Sequence, residues 1–347
     1  MDSRALLTLL ADGKTHSARA LAERFGIPRA AVLEQIGQLA EWGLEVDAVP
    51  GAGLRLARPL DLIEADAVAA ALAPRSARLV ERLDVFGEID STNRYLLERP
   101  PSPERLAVCI AEYQRAGRGR RGRRWTSPYA SGLCLSAGWR FAEAPRDLPA
   151  LTLACGVAAR RAIERRARVA VLLKWPNDLV WDGRKLGGIL VELTREARGA
   201  VHAVVGIGVN VAVPPKVLAK IGDRPGGAAD LSEATSGAPP RRAALAAALV
   251  DELAEILPRY AAVGFAPYAA EFAAADYLRG RPIGIEESGA STGGIARGIE
   301  ADGALRVELD GGGFRCVVSG DVSVRLARPA DAPGVTRLGT RAPRART

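Results

Sequence analysis

Histidine is almost missing from this chain: His16 and His202 are the only two in 347 residues. Two imidazoles leave little for a histidine-based metal site and speak against a Ser-His-Asp triad. Cysteine is equally sparse. Cys109, Cys134, Cys155 and Cys316 lie far apart inside apolar runs, with no C-x-x-C pair, and read as buried free thiols rather than disulfides or metal ligands. No signal-peptide pattern and no apolar run long enough to cross a bilayer occur, so the expectation is a cytoplasmic protein with no membrane partner. The most telling absence is local. From Arg115 to Trp125 the chain runs Arg-Ala-Gly-Arg-Gly-Arg-Arg-Gly-Arg-Arg-Trp, six arginines and three glycines without one acidic residue.

Glycine lets the backbone approach an anion and arginine donates in a planar fork, so this stretch reads as an anion clamp. Gly117, Gly119 and Gly122 also satisfy G-x-G-x-x-G. A dinucleotide site needs a helix opening directly after that motif, and here Trp125-Thr126-Ser127-Pro128 leads into another strand-like run, Gly132 to Phe141. A solvated basic loop or an RNA-adhesive segment is the alternative. The net charge of +8 and pI of about 9.7 favour an anionic partner without naming it.

The length allows two or three domains. Residues 1–60 predict a winged helix-turn-helix. Ser17 caps one helix, Gly26 makes the turn, Pro28 opens a second helix to about Trp42, and Val46 to Arg58 folds as a two-stranded wing around Gly51 and Gly53. Within the helix-turn-helix, about 18–37, Arg29 and Gln35 are the side chains suited to a major groove, and Arg55 on the wing is suited to a phosphate. Leu33, Glu34 and Glu41 offer little to a duplex, so a helical domain kept for packing or regulation is the competing reading. A linker spans 61–79, with a helix from Leu60 to Ala73 that Pro74 closes.

Residues 80–276 alternate strand-like and helix-like runs. Val80 to Ile89 ends in Asp90-Ser91-Thr92-Asn93, which either caps the next helix or offers short donors and acceptors to a small polar ring. Leu148 to Arg166 has helical spacing. Val169 to Leu173 is a strand-like run leading to Lys174-Trp175-Pro176-Asn177-Asp178. Asp182-Gly183 between apolar runs predicts a hairpin that holds Lys185 just past a tight turn, beside Gly187 and Gly188. Gly206-Ile207-Gly208-Val209-Asn210 bares its backbone at a strand end. Pro214 to Pro240 reads as a surface loop or lid, and two helices follow to about Asp276. Residues 277–327, with glycine turns at short intervals, predict a small barrel, and 328–347 a disordered tail.

Taken together and in this order, these motifs resemble the bacterial biotin–protein ligases of the bifunctional class, which also repress biotin synthesis. The resemblance covers nearly the whole chain. It implies an α/β (α+β) architecture: an N-terminal winged helix-turn-helix, a central mixed β-sheet catalytic domain of the class II synthetase-like, biotin/lipoate ligase type, and a C-terminal SH3-like barrel. It implies that biotin and ATP, with Mg²⁺, form biotinyl-5'-AMP, and that biotin then passes to one lysine of a biotin carboxyl carrier protein. By the same resemblance Ser91, Thr92, Asn93 and Gln114 are biotin ring contacts. Arg118, Gly119 and Arg120 are the part of the loop that closes over the ligand, and Lys185 is the lysine beside the reacting carboxylate. Arg123, Trp125, Lys174, Asn177 and Asn210 lie on the ATP or adenylate side. Asp178 stands as the candidate for Mg²⁺ or a water around it, or for the base in acyl transfer, with a plain turn carboxylate as its alternative. Biotin operator DNA and a second copy of the chain are the further partners implied. A lipoate or octanoate ligase, and a DNA-binding biotin sensor without ligase activity, are the competing functions.

Overall fold

A computed structural model describes residues 3–222, 226–287, 290–318 and 323–326. The expected tail, 328–347, lies outside the described residues. The chain divides into two compact units, one formed by residues 1–277 with Ala301–Gly303 and the other by Leu278–Glu300 with the chain from Ala304 onward.

The winged helix forms as its capping signals dictate. Helices α1 (Ser3–Leu10), α2 (Ala18–Phe25) and α3 (Arg29–Gln38) precede the wing strands β1 (Val46–Val49) and β2 (Gly53–Leu56). The Ser17 hydroxyl accepts from Ala20 N at 3.0 Å, and Gly26 ends α2 in the left-handed region. Gly53, at φ 143°, lies so close to His16 that an added Cβ would meet its carbonyl oxygen at 2.2 Å, so only glycine lets β2 close on that residue. The core of this domain is not self-contained. Leu6, Leu10, Leu21, Val32 and Ile36 cluster with Tyr129 and Ala130, from the segment that follows the arginine loop. Trp42 stacks on Tyr129 at 5.2 Å, and Tyr129 N donates to Trp42 O at 2.8 Å.

The linker departs from expectation. Its helix α4 covers only Ala65–Ala71, and Pro74 opens a further helix, α5 (Pro74–Leu79), rather than closing one. Proline's fixed φ and missing N–H suit a first helical turn as well as they forbid an interior one. Upstream, residues 58–63 are pinned to the sheet domain. Arg58 donates to Ala212 O at 2.9 Å, Ile63 N donates to Glu112 at 2.6 Å, and Asp61 receives Arg242 N at 2.7 Å.

The central sheet follows from alternating strands and helices: β3 (Val80–Ile89), α6 (Thr92–Leu97), β4 (Leu106–Gln114), β5 (Gly132–Phe141), α7 (Leu151–Ala167), β6 (Leu172–Lys174), β7 (Asp178–Trp181), β8 (Arg184–Arg195) and β9 (Val201–Asn210). Strand order is β3-β4-β5-β9-β8-β7-β6, parallel between β3 and β4 and antiparallel elsewhere. The strand expected at Val169 starts only at Leu172, because Arg168 takes a left-handed conformation to end α7. The segment expected as a loop or lid is partly helical, with α8 (Pro215–Ile221) and α9 (Leu231–Ala234). Asp230 caps α9 by accepting from Glu233 N at 2.8 Å. Helices α10 (Arg242–Val263) and α11 (Ala266–Ala275) complete the unit. In the second unit, β10 (Pro282–Glu287), β11 (Ala290–Ile299), β12 (Leu305–Leu309), β13 (Phe314–Val317) and β14 (Ser323–Leu326) form an antiparallel sheet in the order β13-β12-β11-β10-β14. Cys316 in it is exposed, unlike the other three thiols, which are buried as expected.

A buried ion pair, Arg242 Nη1 to Glu112 Oε2 at 2.7 Å with 2% and 1% exposure, joins α10 to β4. Arg242 also donates to Gly132 O at 2.9 Å. Removing one partner strands the other charge away from water, so Glu112→Ala is expected to destabilise the chain by about 3–5 kcal/mol in urea unfolding.

His202, on β9, is 1% exposed and its Nε2 has no hydrogen-bond partner. Burial lowers its pKa below the usual 6.5. The unfolded chain therefore takes up the proton first, and stability is expected to fall as pH drops from about 6.5 toward the folded value. His202→Gln should flatten that slope; an unchanged pH dependence of the urea midpoint in this variant counts against the assignment.

Candidate active site

Directly opposed residues in antiparallel strands point to the same face, so the register fixes which side chains share a floor. Cys134 on β5 faces Gly208 on β9, Gly208 faces Gly188 on β8, and Gly188 faces Asp178 on β7. The neighbouring row is Ser136, Gly206 and Leu190. These residues are mostly small, and larger side chains from outside the sheet enter the space above them. A Cβ at Gly206 would lie 2.2 Å from Asn93 Oδ1, and one at Gly208 would lie 2.5 Å from the Trp125 ring.

Lys185 reaches this face because of an irregularity. The hairpin forms at Asp182-Gly183 as predicted, with both residues at positive φ. The register then shifts: Leu179 opposes Gly187, whereas Val180 opposes Lys185. The extra residue is a β-bulge, which re-aims the side chain that follows it. Without it, alternation from Gly188 would send Lys185 to the opposite face. Lys185 Nζ instead pairs with Asp178 Oδ1 and lies 6.0 Å from the Trp125 ring centroid.

The predicted residues fall into two adjoining groups. In the first, Ser91 caps α6 while Thr92 and Asn93, both 4% exposed, face inward. Gln114 Oε1 accepts from Thr92 N at 2.9 Å and from Thr92 Oγ1 at 3.1 Å. Ser136 Oγ lies 2.7 Å from Thr92 Oγ1 and donates to Asn93 Oδ1 at 2.6 Å. Asn93 Nδ2 donates to Glu192 Oε2 at 2.8 Å, and the other oxygen of Glu192 receives Arg118. Ser136 and Glu192 were not singled out by sequence reasoning: a lone serine or glutamate in a strand carries no motif, and only the register puts them here.

In the second group are Lys185, Asp178, Trp125, Asn177 and Arg120. Arg120 Nη1 lies 3.5 Å from Asn177 Oδ1. Burial lowers its pKa while Asp178 opposes that shift; guanidinium stays protonated regardless. Asn177 is fixed by its amide donating to Ile189 O at 2.8 Å. Asn210, 3% exposed at the end of β9, donates to Ala229 O at 3.0 Å and so ties down the segment before α9. Lys174 opposes Asp178 across the β6–β7 turn. Burial pushes the Cys134 thiol in the floor up to about 11, which keeps it protonated and unreactive near neutrality.

The arginine loop folds back on itself. Trp125 N donates to Gly117 O at 2.9 Å and Gly119 N to Arg123 O at 2.7 Å, around a tight turn at Arg120–Gly122. With Leu190 and Glu192 the loop lines a cleft of about 660 Å³. Arg123 is exposed. Among the described residues no group of three or more His, Cys, Asp or Glu could hold a metal. Asp178 is engaged with Lys185, so a Mg²⁺ here would have to be held largely by substrate phosphates and water, its common mode.

The DNA candidates lie elsewhere. Arg29 is exposed at the start of α3, Arg55 on β2 pairs with Asp47 at 3.2 Å, and Gln35 is half-buried with its amide oxygen turned inward and unpartnered. Of the uncharged polar side chains on that helix the exposed one is Gln38, one turn further on.

Residues 85–210 match the model of the biotin/lipoate A/B protein ligase family, 3–55 an HTH domain, and 279–325 the biotin protein ligase C-terminal domain. The chain is 38% identical over 322 residues to the bifunctional ligase/repressor BirA of Escherichia coli, covering 93% of this chain and 97% of that one, and equally so to its Salmonella typhimurium counterpart. It is 35% identical to the biotin–[acetyl-CoA-carboxylase] ligase of Paracoccus denitrificans, over 64% of this chain and 92% of that one. Among solved structures, the Aquifex aeolicus biotin protein ligase in complex with biotin and ATP superposes with a TM-score of 0.59 at 25% identity, covering 71% of this chain and all of that one. With its helix-turn-helix, ligase core and C-terminal domain in the same order and over nearly the whole length, the chain belongs to the bifunctional biotin ligase/repressor family.

Proposed function

We propose that this chain activates biotin with ATP to biotinyl-5'-AMP, transfers biotin to a lysine of a biotin carboxyl carrier protein, and, as a biotinyl-AMP-dependent repressor, binds operator DNA. The observation that carries the ligase reading is the bulge that turns Lys185 onto the same face as Asn93, Asp178 and Trp125. A small polar pocket and a cationic anhydride-forming centre then adjoin on one floor.

The steps follow from that arrangement. Thr92, Asn93 and Gln114 offer donors and acceptors to the ureido ring, and Ser91 caps the helix that carries Thr92 and Asn93. The biotin carboxylate then attacks the α-phosphorus and pyrophosphate leaves. Two anions must be brought together, so Lys185, Arg118, Arg120 and Arg123 are assigned to cancel repulsion and to stabilise charge on the phosphoryl oxygens. Asp178 orients Lys185 until the ligand arrives. Mg²⁺ would supply further neutralisation of the triphosphate, with Asp178 the residue nearest to a role in holding it or its water. Trp125, Lys174, Asn177 and Asn210 are assigned to the adenylate side. In the second step the carrier lysine attacks the acyl carbonyl and AMP leaves; Asp178 is the carboxylate available to take its proton.

In this reading residues 1–60 contact DNA through Arg29, Arg55 and the exposed face of α3, residues 61–79 connect, 80–276 ligate and 277–327 form the C-terminal domain. From Leu190 to Arg195, β8 pairs with β9 alone, which leaves a strand edge suited to a homodimer through the central sheet. No helix among the described residues is long and apolar enough to cross a membrane, in keeping with a cytoplasmic site of action.

Incubation with biotin, ATP, Mg²⁺ and a carrier fragment, followed by mass analysis of the carrier, tests the activity. Lys185→Ala is expected to slow biotinylation by about 10²–10³-fold, the loss typical when one preorganised charge-stabilising group is removed. A variant as active as the parent refutes the role given to Lys185, and a silent parent refutes the ligase reading itself.

A loop that shields a hydrolysable adenylate must close and open. Trypsin cleavage within residues 115–124 should slow by about 100-fold when biotin and ATP are present at a hundred times their dissociation constant. Equal cleavage with and without ligands would show that the loop does not close over them.

A further inference from the structure

Glu192 stands at the join between the two groups of the site, and neither the motifs nor the mechanism above gives it a task. We propose that Glu192 is a positioning residue that locks the arginine loop to the biotin-ring pocket, so that the adenylate is retained only while both are in register. The proposal rests on the ligase reading and extends it.

Both carboxylate oxygens are committed, and in different directions. Oε2 accepts from Asn93 Nδ2 at 2.8 Å, and Oε1 receives Arg118 Nη2. Asn93 cannot turn away without cost. Its Oδ1 accepts from Ser136 at 2.6 Å, its Nδ2 also faces Leu190 O at 3.3 Å, and the side chain is 4% exposed above Gly206. Glu192 is thus tied to a fixed group in the floor and to a group on the loop. A run of polar contacts leads from Gln114 through Thr92, Ser136 and Asn93 to Glu192 and out to Arg118.

The charge is what the loop requires. Residues 115–125 contain no acidic side chain, so the six arginines repel one another and must find their counter-charges elsewhere. For Arg118 that counter-charge is Glu192, 22% exposed on the side facing the cleft. Partial burial and a charged donor make such a hydrogen bond roughly twice as strong as a neutral one. A glutamine here could keep an oxygen for Asn93, but it would turn an NH₂ toward the guanidinium.

Glu192→Gln therefore separates the two functions. The expected result is a biotin KM within about twofold of the parent, with escape of biotinyl-AMP from the enzyme faster by about tenfold, the equivalent of 1.4 kcal/mol. Glu192→Ala removes both contacts and should raise the biotin KM as well. Escape is read by forming labelled adenylate on the enzyme, adding excess unlabelled biotin and ATP, and following label released over time. Arg118→Gln alone and combined with Glu192→Gln completes the cycle: the pair should lose no more than the worse single variant. Parental escape in Glu192→Gln, or fully additive losses in the double variant, overturns the proposal. A lowered melting temperature with unchanged escape does so too, because it leaves Glu192 a structural role only. Failure of the parent to form any adenylate would instead strike at the ligase reading.

Discussion

The site depends on the near-absence of bulk along one row of the central sheet. Cys134, Gly208, Gly188 and Asp178 oppose one another across four strands, and the row beside them is Ser136, Gly206 and Leu190. A strand interior normally gains from branched side chains that pack the sheet face, so glycines at Gly206 and Gly208 weaken β9 locally. What they make room for is Asn93 and Trp125, each of which would collide with any Cβ at those positions. The other residues of β9, such as Val205, Ile207 and Val209, are buried apolar groups facing the opposite side, and they supply the packing that the glycines forgo. One face of the strand is built for cohesion and the other for access.

Charge is balanced on the same plan. The loop from Arg115 to Arg124 has no internal acid, and carboxylates from outside it meet its cations and the neighbouring Lys185. Glu192 takes Arg118, Asp90 takes Arg115 at 2.9 Å, and Asp178 takes Lys185. Pairs of this kind at partly exposed positions contribute little to stability. In the proposed reaction their value is that they hold cations in place while remaining cheap to exchange for an incoming carboxylate or phosphate. The buried pair Arg242–Glu112 is the contrasting case, since it lies out of reach of solvent and its role is to fix the linker and α10 against β4.

The winged helix shares this fixed frame. Its core is completed by Tyr129 and Ala130, which are separated from Trp125 by only Thr126, Ser127 and Pro128. Gly43, in turn, leaves no room for a Cβ against Pro128, at 2.9 Å. The N-terminal domain is therefore packed on the segment through which the loop rejoins the sheet, and a division at residue 60 describes the chain's sequence better than its packing.

Much of this was legible before the structure, and the exceptions have a common cause. The caps at Ser17 and Gly26, the Asp182-Gly183 hairpin and the helical spacing of α7 and α10 are local, so short stretches of sequence carry them. The two groups of site residues were approached through motifs such as Ser91-Thr92-Asn93 and Lys174 to Asp178, because those cluster along the chain. Pro74 was misread because proline ends one helix and begins another by the same chemistry. The helices within 214–240 were missed because Gly, Pro and Ala around them mask two short segments. Ser136, Glu192 and the bulge before Gly187 could not be read at all, since each has meaning only through a partner on another strand. Whether Lys185 faces the pocket or the opposite side turns on one extra residue in a register, and a register belongs to the sheet, not to any one stretch of the chain.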